Sequence, residues 1–381
     1  MGEELIKKFN ASIFPASDYS LESLIKDREI PGNTSIIDTI DISLKELYEV
    51  YHPERKDLFD NDEYEEFLKN QNIDTKIYGN WVYYEWRNSL IKIPPKDHFQ
   101  LLRTARNQLL ITPENQSVLF TKTILIAGMS VGSNVVEQVV HGGIAGNLIL
   151  ADMDTLELTN LNRIKTGILD IGLQKVVSSA RKALEVDPYL NIYLIDSGIN
   201  EDSLKSIKEL NVDLIVDEVD EINAKILLRK KAKELKVPLL MATDNSDGAL
   251  IDVERYDIDV ETVMFNNRIP DEILQAMVSG DMPREQAGAV IGKYFVGFDI
   301  VDNYLINSLR EVRVKIPSWP QLGTAASMSG ILVAYCSKII MLGGKLNDNR
   351  YICSFDKDYN EVFSSYDYKN NRRDLLSSLE S

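Results

Sequence analysis

The chain has 381 residues, 44% of them hydrophobic and 27% charged, which excludes a collagen-like, mucin-like or disordered class. Its formal net charge of −17 repels phosphate backbones, so no nucleic-acid partner is expected.

In chain order, residues 1–95 read as a separate region punctuated at Pro15, Pro31-Gly32 and Pro53. SIIDTIDISLKELYEVY has helical spacing, with apolar residues at Ile40, Leu44, Leu47 and Val50. KIYGNWVYYEWRNSLIKIP alternates and is aromatic, the pattern of a strand hairpin packed in a core. From Thr121 onward strands and helices alternate: KTILIAG, the helix SNVVEQVVHGG, NLILAD, the helix GLQKVVSSARKALEVD, then NIYLID. EDSLKSIKEL, VDLIVDEVD, INAKILLRKKAKEL and VPLLMAT continue the alternation. That succession predicts an α/β fold with a doubly wound, mainly parallel, Rossmann-like sheet.

The rhythm breaks after ALIDVERYD. A helix-rich, charged insertion is expected over 257–316, then a Gly- and Ala-rich helix in SWPQLGTAASMSGILVAYCSKIIML. RYICSFD offers a last strand, and the tail YDYKNNRRDLLSSLES is polar enough to fray. These shifts divide the chain at 1–95 (N-terminal α+β extension), 96–256, 257–316 and 317–381 (completing the core).

Cys336 and Cys353 both lie in apolar surroundings and read as buried thiols. With no CxxC pair and with His52, His98 and His141 scattered, a zinc site is not expected. The start MGEELIKKFNASIF lacks an apolar region followed by a cleavage site, and Ile6 departs from the myristoylation pattern. No run of about 18 apolar residues stands out, so no membrane partner is expected. A reducing, cytoplasmic setting is the expectation.

The turn after the first strand of the alternating region reads Gly128-Met129-Ser130-Val131-Gly132-Ser133. Small residues let a backbone approach phosphates, and the following helix N-terminus supplies unpaired N–H groups. Asp152, one βαβ unit on, is placed to accept hydrogen bonds from ribose hydroxyls. A nicotinamide dehydrogenase and a nucleotidyltransferase would both use these residues.

ADMDTLELTNLNRI, followed by GLQK and DEVDEINAK, resembles the ThiF/MoeB adenylyltransferases, which share their fold with ubiquitin-activating enzymes. LLRTARNQLLITPENQSVLF resembles that family's entry segment, and the likeness runs over residues 100–255 with weaker agreement at WPQLGTAAS. The resemblance implies that 96–256 is an ATP-binding adenylation domain. It implies Arg106, Asn160, Arg163, Lys175 and Asp220 as catalytic residues, with Arg103 as second choice for the entry arginine. Nucleotide contacts fall on Gly128, Ser130, Val131, Gly132, Asp152, Asp154 and Thr159, and Asp220 anchors Mg²⁺. Cationic side chains suit a triphosphate, and hard cations prefer carboxylate oxygen.

The implied reaction is ATP-dependent activation of a carboxylate, on a peptide, small protein or small molecule, as an acyl-adenylate with loss of pyrophosphate. In such a family the entry arginine crosses a homodimer interface. Two departures stand out. Ser130, Val131 and Ser133 occupy positions of the relatives' glycines, and 257–316 has no cysteine to carry a thioester or persulfide. A catalytically impaired binding or regulatory subunit and an NAD-dependent oxidoreductase are the alternatives. At single residues, Asp220 could instead cap the helix near Ile222, and Arg106 could pair with a neighbouring acid.

Overall fold

The computed structural model describes residues 5–28, 30–54, 61–281, 290–297 and 301–380. Of the insertion, 282–289 and 298–300 lie outside the described residues, as do 1–4 at the N-terminus. Twelve strands are described. In order they are β1 (Lys7–Lys8), β2 (Ser12–Pro15), β3 (Ser35–Asp38), β4 (Asn80–Tyr84), β5 (Ser89–Ile93) and β6 (Thr123–Ala127). Then come β7 (Asn147–Ala151), β8 (Asn191–Ile195), β9 (Leu214–Asp217), β10 (Leu239–Asn245), β11 (Gly248–Glu254) and β12 (Asn349–Ser354). The chain forms two compact units, one of residues 10–114 with 187–189, the other of 1–9, 115–186 and 190–381.

The smaller unit has a sheet in the order β2-β4-β5-β3, antiparallel except where β3 lies parallel to β5. The aromatic hairpin is β4–β5, and Trp81 and Tyr84 are buried as core packing requires. The helical spacing before it begins later than expected. Ser35–Asp38 is an exposed strand, and the helix runs Ile40–Tyr51 with Ile40, Leu44 and Leu47 buried and Val50 half-buried. β-Branched Ile36 and Ile37 favour extended backbone, and they pair along Leu90 and Ile91 of β5.

The larger unit is built on an eight-stranded sheet, β1-β8-β7-β6-β9-β10-β11-β12. β8, β7, β6, β9 and β10 run parallel, while β1, β11 and β12 are antiparallel additions at the two sides. Every residue of β6 and β9 is buried, which is why TILIA and LIVD are uninterrupted apolar runs rather than alternating ones. The chain leaves β6 toward β7 and β8, then returns to β9 and β10 on the other side. The reversal opens a crevice between β6 and β9 at their C-terminal ends.

One described helix, Gly323–Met341, is long and apolar enough to cross a membrane, contrary to the reading of the sequence, where small and hydroxylic residues hid it. Here it packs on the helix Gly132–Gly142 and on β10 and β11, with Ala325, Ala326, Ser329, Val333 and Ser337 buried. The tail also departs from expectation: Tyr366–Glu380 is helical, anchored by Leu375 against Val301, Leu305 and Ile306. Of the two thiols Cys336 is buried, but Cys353 is only half-buried on the terminal strand of the sheet.

Candidate active site

β6 is followed by Gly128 at φ +90°, where an added Cβ would collide with the carbonyl oxygen of Glu218 beyond β9. Only glycine lets the two strand ends close up in this conformation. The Gly128 N–H donates to Ala151 O at 2.7 Å and the Met129 N–H to Asp152 Oδ2 at 2.6 Å, which ties the loop to the end of β7. The helix Gly132–Gly142 then starts at the crevice with the positive end of its dipole. Val131 has ordinary helical backbone (φ −67°, ψ −38°) and is 7% exposed. Its branched side chain is turned into the interior, so no glycine is needed at that position.

Asp152 accepts two backbone N–H groups, from Met129 on Oδ2 and from Asp154 on Oδ1 at 2.8 Å. Burial pushes its carboxyl above the ordinary value, opposed by those two hydrogen bonds and by Lys175. Each oxygen retains a further lone pair for a ligand hydroxyl. Lys175, at the start of the helix Lys175–Val186, is nearly buried and donates to Asp154 Oδ2 at 2.7 Å, while Asp154 itself stays exposed. The Lys175–Asp154 pair thus stands beside Asp152 at the mouth of the crevice.

The segment after β7 turns through a short 3₁₀ helix, Leu158–Asn160. Buried Asn160 shapes it, its Oδ1 accepting the Glu157 N–H at 3.0 Å, while Thr159 turns its hydroxyl to Glu157. That turn brings Arg163 onto the loop, where its Nε donates to Ser130 Oγ at 3.1 Å. Asn134, fully buried in the following helix, fixes the Arg163 carbonyl through Nδ2 at 3.0 Å. Burial lowers the pKa of the Arg163 guanidinium, and the facing Asp244 and Asp220 raise it.

Asp220 is exposed beyond the end of β9. The helix Ile222–Leu235 begins after Glu221 without any side-chain cap, so Asp220 is not a capping residue. Two acids at this edge escaped the sequence reading. Glu218 is buried, accepts the Ala242 N–H at 3.1 Å, and is held well above the usual carboxylate range by that burial. Asp244, near the end of β10, accepts from Ser329 Oγ at 2.8 Å, and burial pushes it up to about 6 against the pull of Ser329 and Arg163. A groove of about 530 Å³ lined by Leu161, Arg163, Gly323, Met328, Ile331 and Phe355 opens beside these residues.

The loop, Asp152, Asp154, Thr159, Asn160, Arg163, Lys175 and Asp220 thus share one unit and one strand edge. Arg106 does not belong to that unit. It sits exposed on a 3₁₀ turn, Ala105–Asn107, of the smaller one, and among the described residues it makes no ion pair. Arg103 is engaged there with buried Asp187 at 3.1 Å.

The ThiF family pattern matches residues 104–344. The chain belongs to the ThiF family. Among the similar proteins is an uncharacterised protein of Mycobacterium tuberculosis, 33% identical over 270 residues, covering 71% of this chain and 37% of the relative. Another is the molybdopterin-synthase adenylyltransferase of Haemophilus influenzae, 30% identical over 129 residues, covering 33% of this chain and 52% of the relative. The chain therefore spans between about a third and about half of the length of these curated relatives. The crystal structure of E. coli tRNA N6-threonylcarbamoyladenosine dehydratase aligns at a TM-score of 0.45 with 17% identity, over 64% of this chain and 95% of that one.

Proposed function

We propose that this ThiF-family chain binds ATP and adenylates a carboxylate, releasing pyrophosphate. The observation that carries the reading is Arg163, hydrogen-bonded to Ser130 of the glycine-bearing loop and facing Asp220 across the crevice between β6 and β9. A dehydrogenase needs the loop and Asp152 but does not need Asn160, Arg163, Lys175 and Asp220 together. Membership in a family that includes a molybdopterin-synthase adenylyltransferase supports the same reading.

In this reaction a carboxylate oxygen attacks the α-phosphorus, the bond to the bridging oxygen breaks, and pyrophosphate leaves with the bonding pair. The attacking carboxylate is already ionised at neutral pH, so no general base is required. What the protein supplies is position and positive charge. The loop N–H groups and the helix N-terminus receive phosphate oxygens, Arg163 and Lys175 spread the growing negative charge, and Asn160 shapes the turn that presents Arg163. Asp152 takes the ribose hydroxyls on its remaining lone pairs. The exposed carboxylate of Asp220 has the hard-oxygen chemistry that fits Mg²⁺. Bound there, Mg²⁺ would neutralise phosphate charge. Lys175 reaches the triphosphate only by leaving Asp154, an exchange of one anionic partner for another.

The substrate is a peptide, small-protein or small-molecule carboxylate, and the groove beside Arg163 offers it room. The protein works as a homodimer in which exposed Arg106 of each chain completes the partner's site; Arg103, engaged with Asp187, is poorly suited to that task. The acyl-adenylate is passed to a nucleophile from outside the chain, in a cytoplasmic setting. Thermal melting tests the nucleotide directly: ATP with Mg²⁺ raises the midpoint and NAD does not. A shift with NAD alone would assign the site to a nicotinamide cofactor.

A further inference from the structure

We propose that the carboxylate this chain adenylates is borne on an apolar body, an aliphatic or aryl group, seated in the groove beside Arg163. The inference rests on the adenylation reading and names the substrate class of that same site.

The groove lies between residues 161–165 and the first turns of the helix Gly323–Met341, with Phe355 also in its wall. At about 530 Å³ it has the size of an ordinary small-molecule pocket. Arg163 belongs to two places at once: its Nε donates to Ser130 Oγ on the phosphate loop at 3.1 Å, and it lines the groove. A carboxylate brought to a phosphate at Arg163 therefore has this groove as the adjoining room for the rest of the molecule.

The polar side chains of the wall are already engaged. Asn162 donates to Gln321 O at 2.7 Å and accepts from Arg163 at 3.0 Å, and Thr324 donates to Asp247 at 2.5 Å. Ser327 donates to Asn134 at 3.2 Å, and Lys165 pairs with Glu137 at 3.4 Å. A polar body would give up its water here for groups that must first break these bonds. A second anionic group would find no unspent cation, since Lys165 is neutralised by Glu137 and Arg163 serves the phosphates.

What the groove offers is Leu161, Ile164, Met328, Ile331 and Phe355. Gly330, Val333 and Ala334 of the long helix are buried, yet Ile331 among them is 53% exposed, and Phe355 is 47% exposed. Scattered exposed apolar residues are ordinary, but these two share one concave wall that ends at a guanidinium. Cationic at one end and apolar along its length, the groove complements a ligand with one anionic end and a hydrocarbon body.

The experiment is calorimetric titration of 5′-O-(N-acylsulfamoyl)adenosines, unreactive mimics of acyl-adenylates, into the full chain. The acyl groups are acetyl, hexanoyl, N-acetylleucyl and succinyl, all on the same nucleoside. The proteins are wild type and the double variant Ile331→Ser with Phe355→Ser, with melting of the unliganded variant as the folding control. Hexanoyl and N-acetylleucyl bind wild type on the order of 10–100-fold more tightly than acetyl, while succinyl gains nothing. The tighter of the two apolar mimics assigns the body to a free acid or to a peptide end. In the double variant most of that gain disappears while acetyl binds as before, a split that a merely structural role for these side chains would not produce. Equal binding of acetyl and both apolar mimics, or a preference for succinyl, overturns the proposal and leaves adenylation standing. A gain that survives in the double variant overturns it too, because the apolar body then lies elsewhere. No binding of any mimic removes the adenylation reading and this inference together.

Discussion

At Gly128, Arg163 and Asp220 the sequence motifs and the geometry meet. Gly128 could be read from its place after an apolar strand, and the contact with Glu218 adds the reason: the next strand's end leaves no room for a Cβ. Gly128→Ala therefore lowers the melting temperature and weakens ATP binding together, whereas a surface Gly→Ala change moves neither. Asp220→Asn folds normally but loses on the order of 10²-fold or more in ATP–pyrophosphate exchange, because an exposed carboxylate is replaced where charge neutralisation is needed; near-normal exchange would take Asp220 out of the mechanism. Cys336 is buried, with its thiol pushed up to about 11 by that burial, and so holds little thiolate. Replacing it and Cys353 with Ala leaves exchange within a few-fold, with a packing loss of about 1–3 kcal/mol. A thiol-sensitive intermediate absent from the Cys-free protein would contradict this. Asp244 lies outside the recognised motifs, and Glu218, although inside DEVDEINAK, carries no sign of its burial in the sequence. The signal for Asp244 was available in its position at the end of a parallel strand, VPLLMATDN, where ligands of doubly wound sheets gather.

Among the elements, the helix Gly323–Met341 was legible as a helix but not as part of the site. It brings Ser327 to Asn134, Ser329 to Asp244 and Thr324 to Asp247, and none of these pairings follows from its composition. It comes this close because Gly330 faces the Asn134 backbone, where an added Cβ would lie 2.7 Å from the carbonyl carbon and oxygen. Gly330→Ala overpacks the pair, with an expected cost of about 1–3 kcal/mol and loosened Arg163 placement through Asn134; a melting temperature equal to wild type would refute it. Behind β9, fully buried Arg229 bridges Asp217 at 2.6 Å and Glu254 at 2.8 Å and stacks on Phe265 at 3.6 Å. Its long charged side chain in a helix read as INAKILLRKKAKEL gave no hint of burial, because lysine and arginine there look like a solvated face. Arg229→Leu leaves buried Glu254 without its cation and Asp217 with Lys225 alone, and costs about 3–5 kcal/mol. Adding Asp217→Asn and Glu254→Gln recovers part of it, as chemical denaturation can measure.

For the whole molecule, the alternation of strands and helices fixed the doubly wound core, since each apolar run of four or five residues could only be a buried parallel strand. The antiparallel additions were harder to foresee. Lys7–Lys8 joins β8 through residues with no strand signature, and Ser35–Asp38 was taken into a helix because its isoleucines fit both periods. The homodimer proposal is tested by mixing Arg106→Ala with Asp220→Asn under subunit exchange. Random pairing puts one intact site in half of the dimers, so activity recovers to roughly one quarter of wild type; no recovery despite proven exchange would place Arg106 in its own chain's site or outside catalysis. The central claim, carboxylate adenylation, is tested most directly by exchange of radiolabelled pyrophosphate into ATP, with a size-fractionated cell extract as the source of carboxylates. The account predicts exchange that requires both Mg²⁺ and a carboxylate-bearing fraction and that collapses in Asp220→Asn. Absence of exchange with every fraction, from a protein whose melting point responds to ATP and Mg²⁺, would contradict it and leave a nucleotide-binding regulatory subunit.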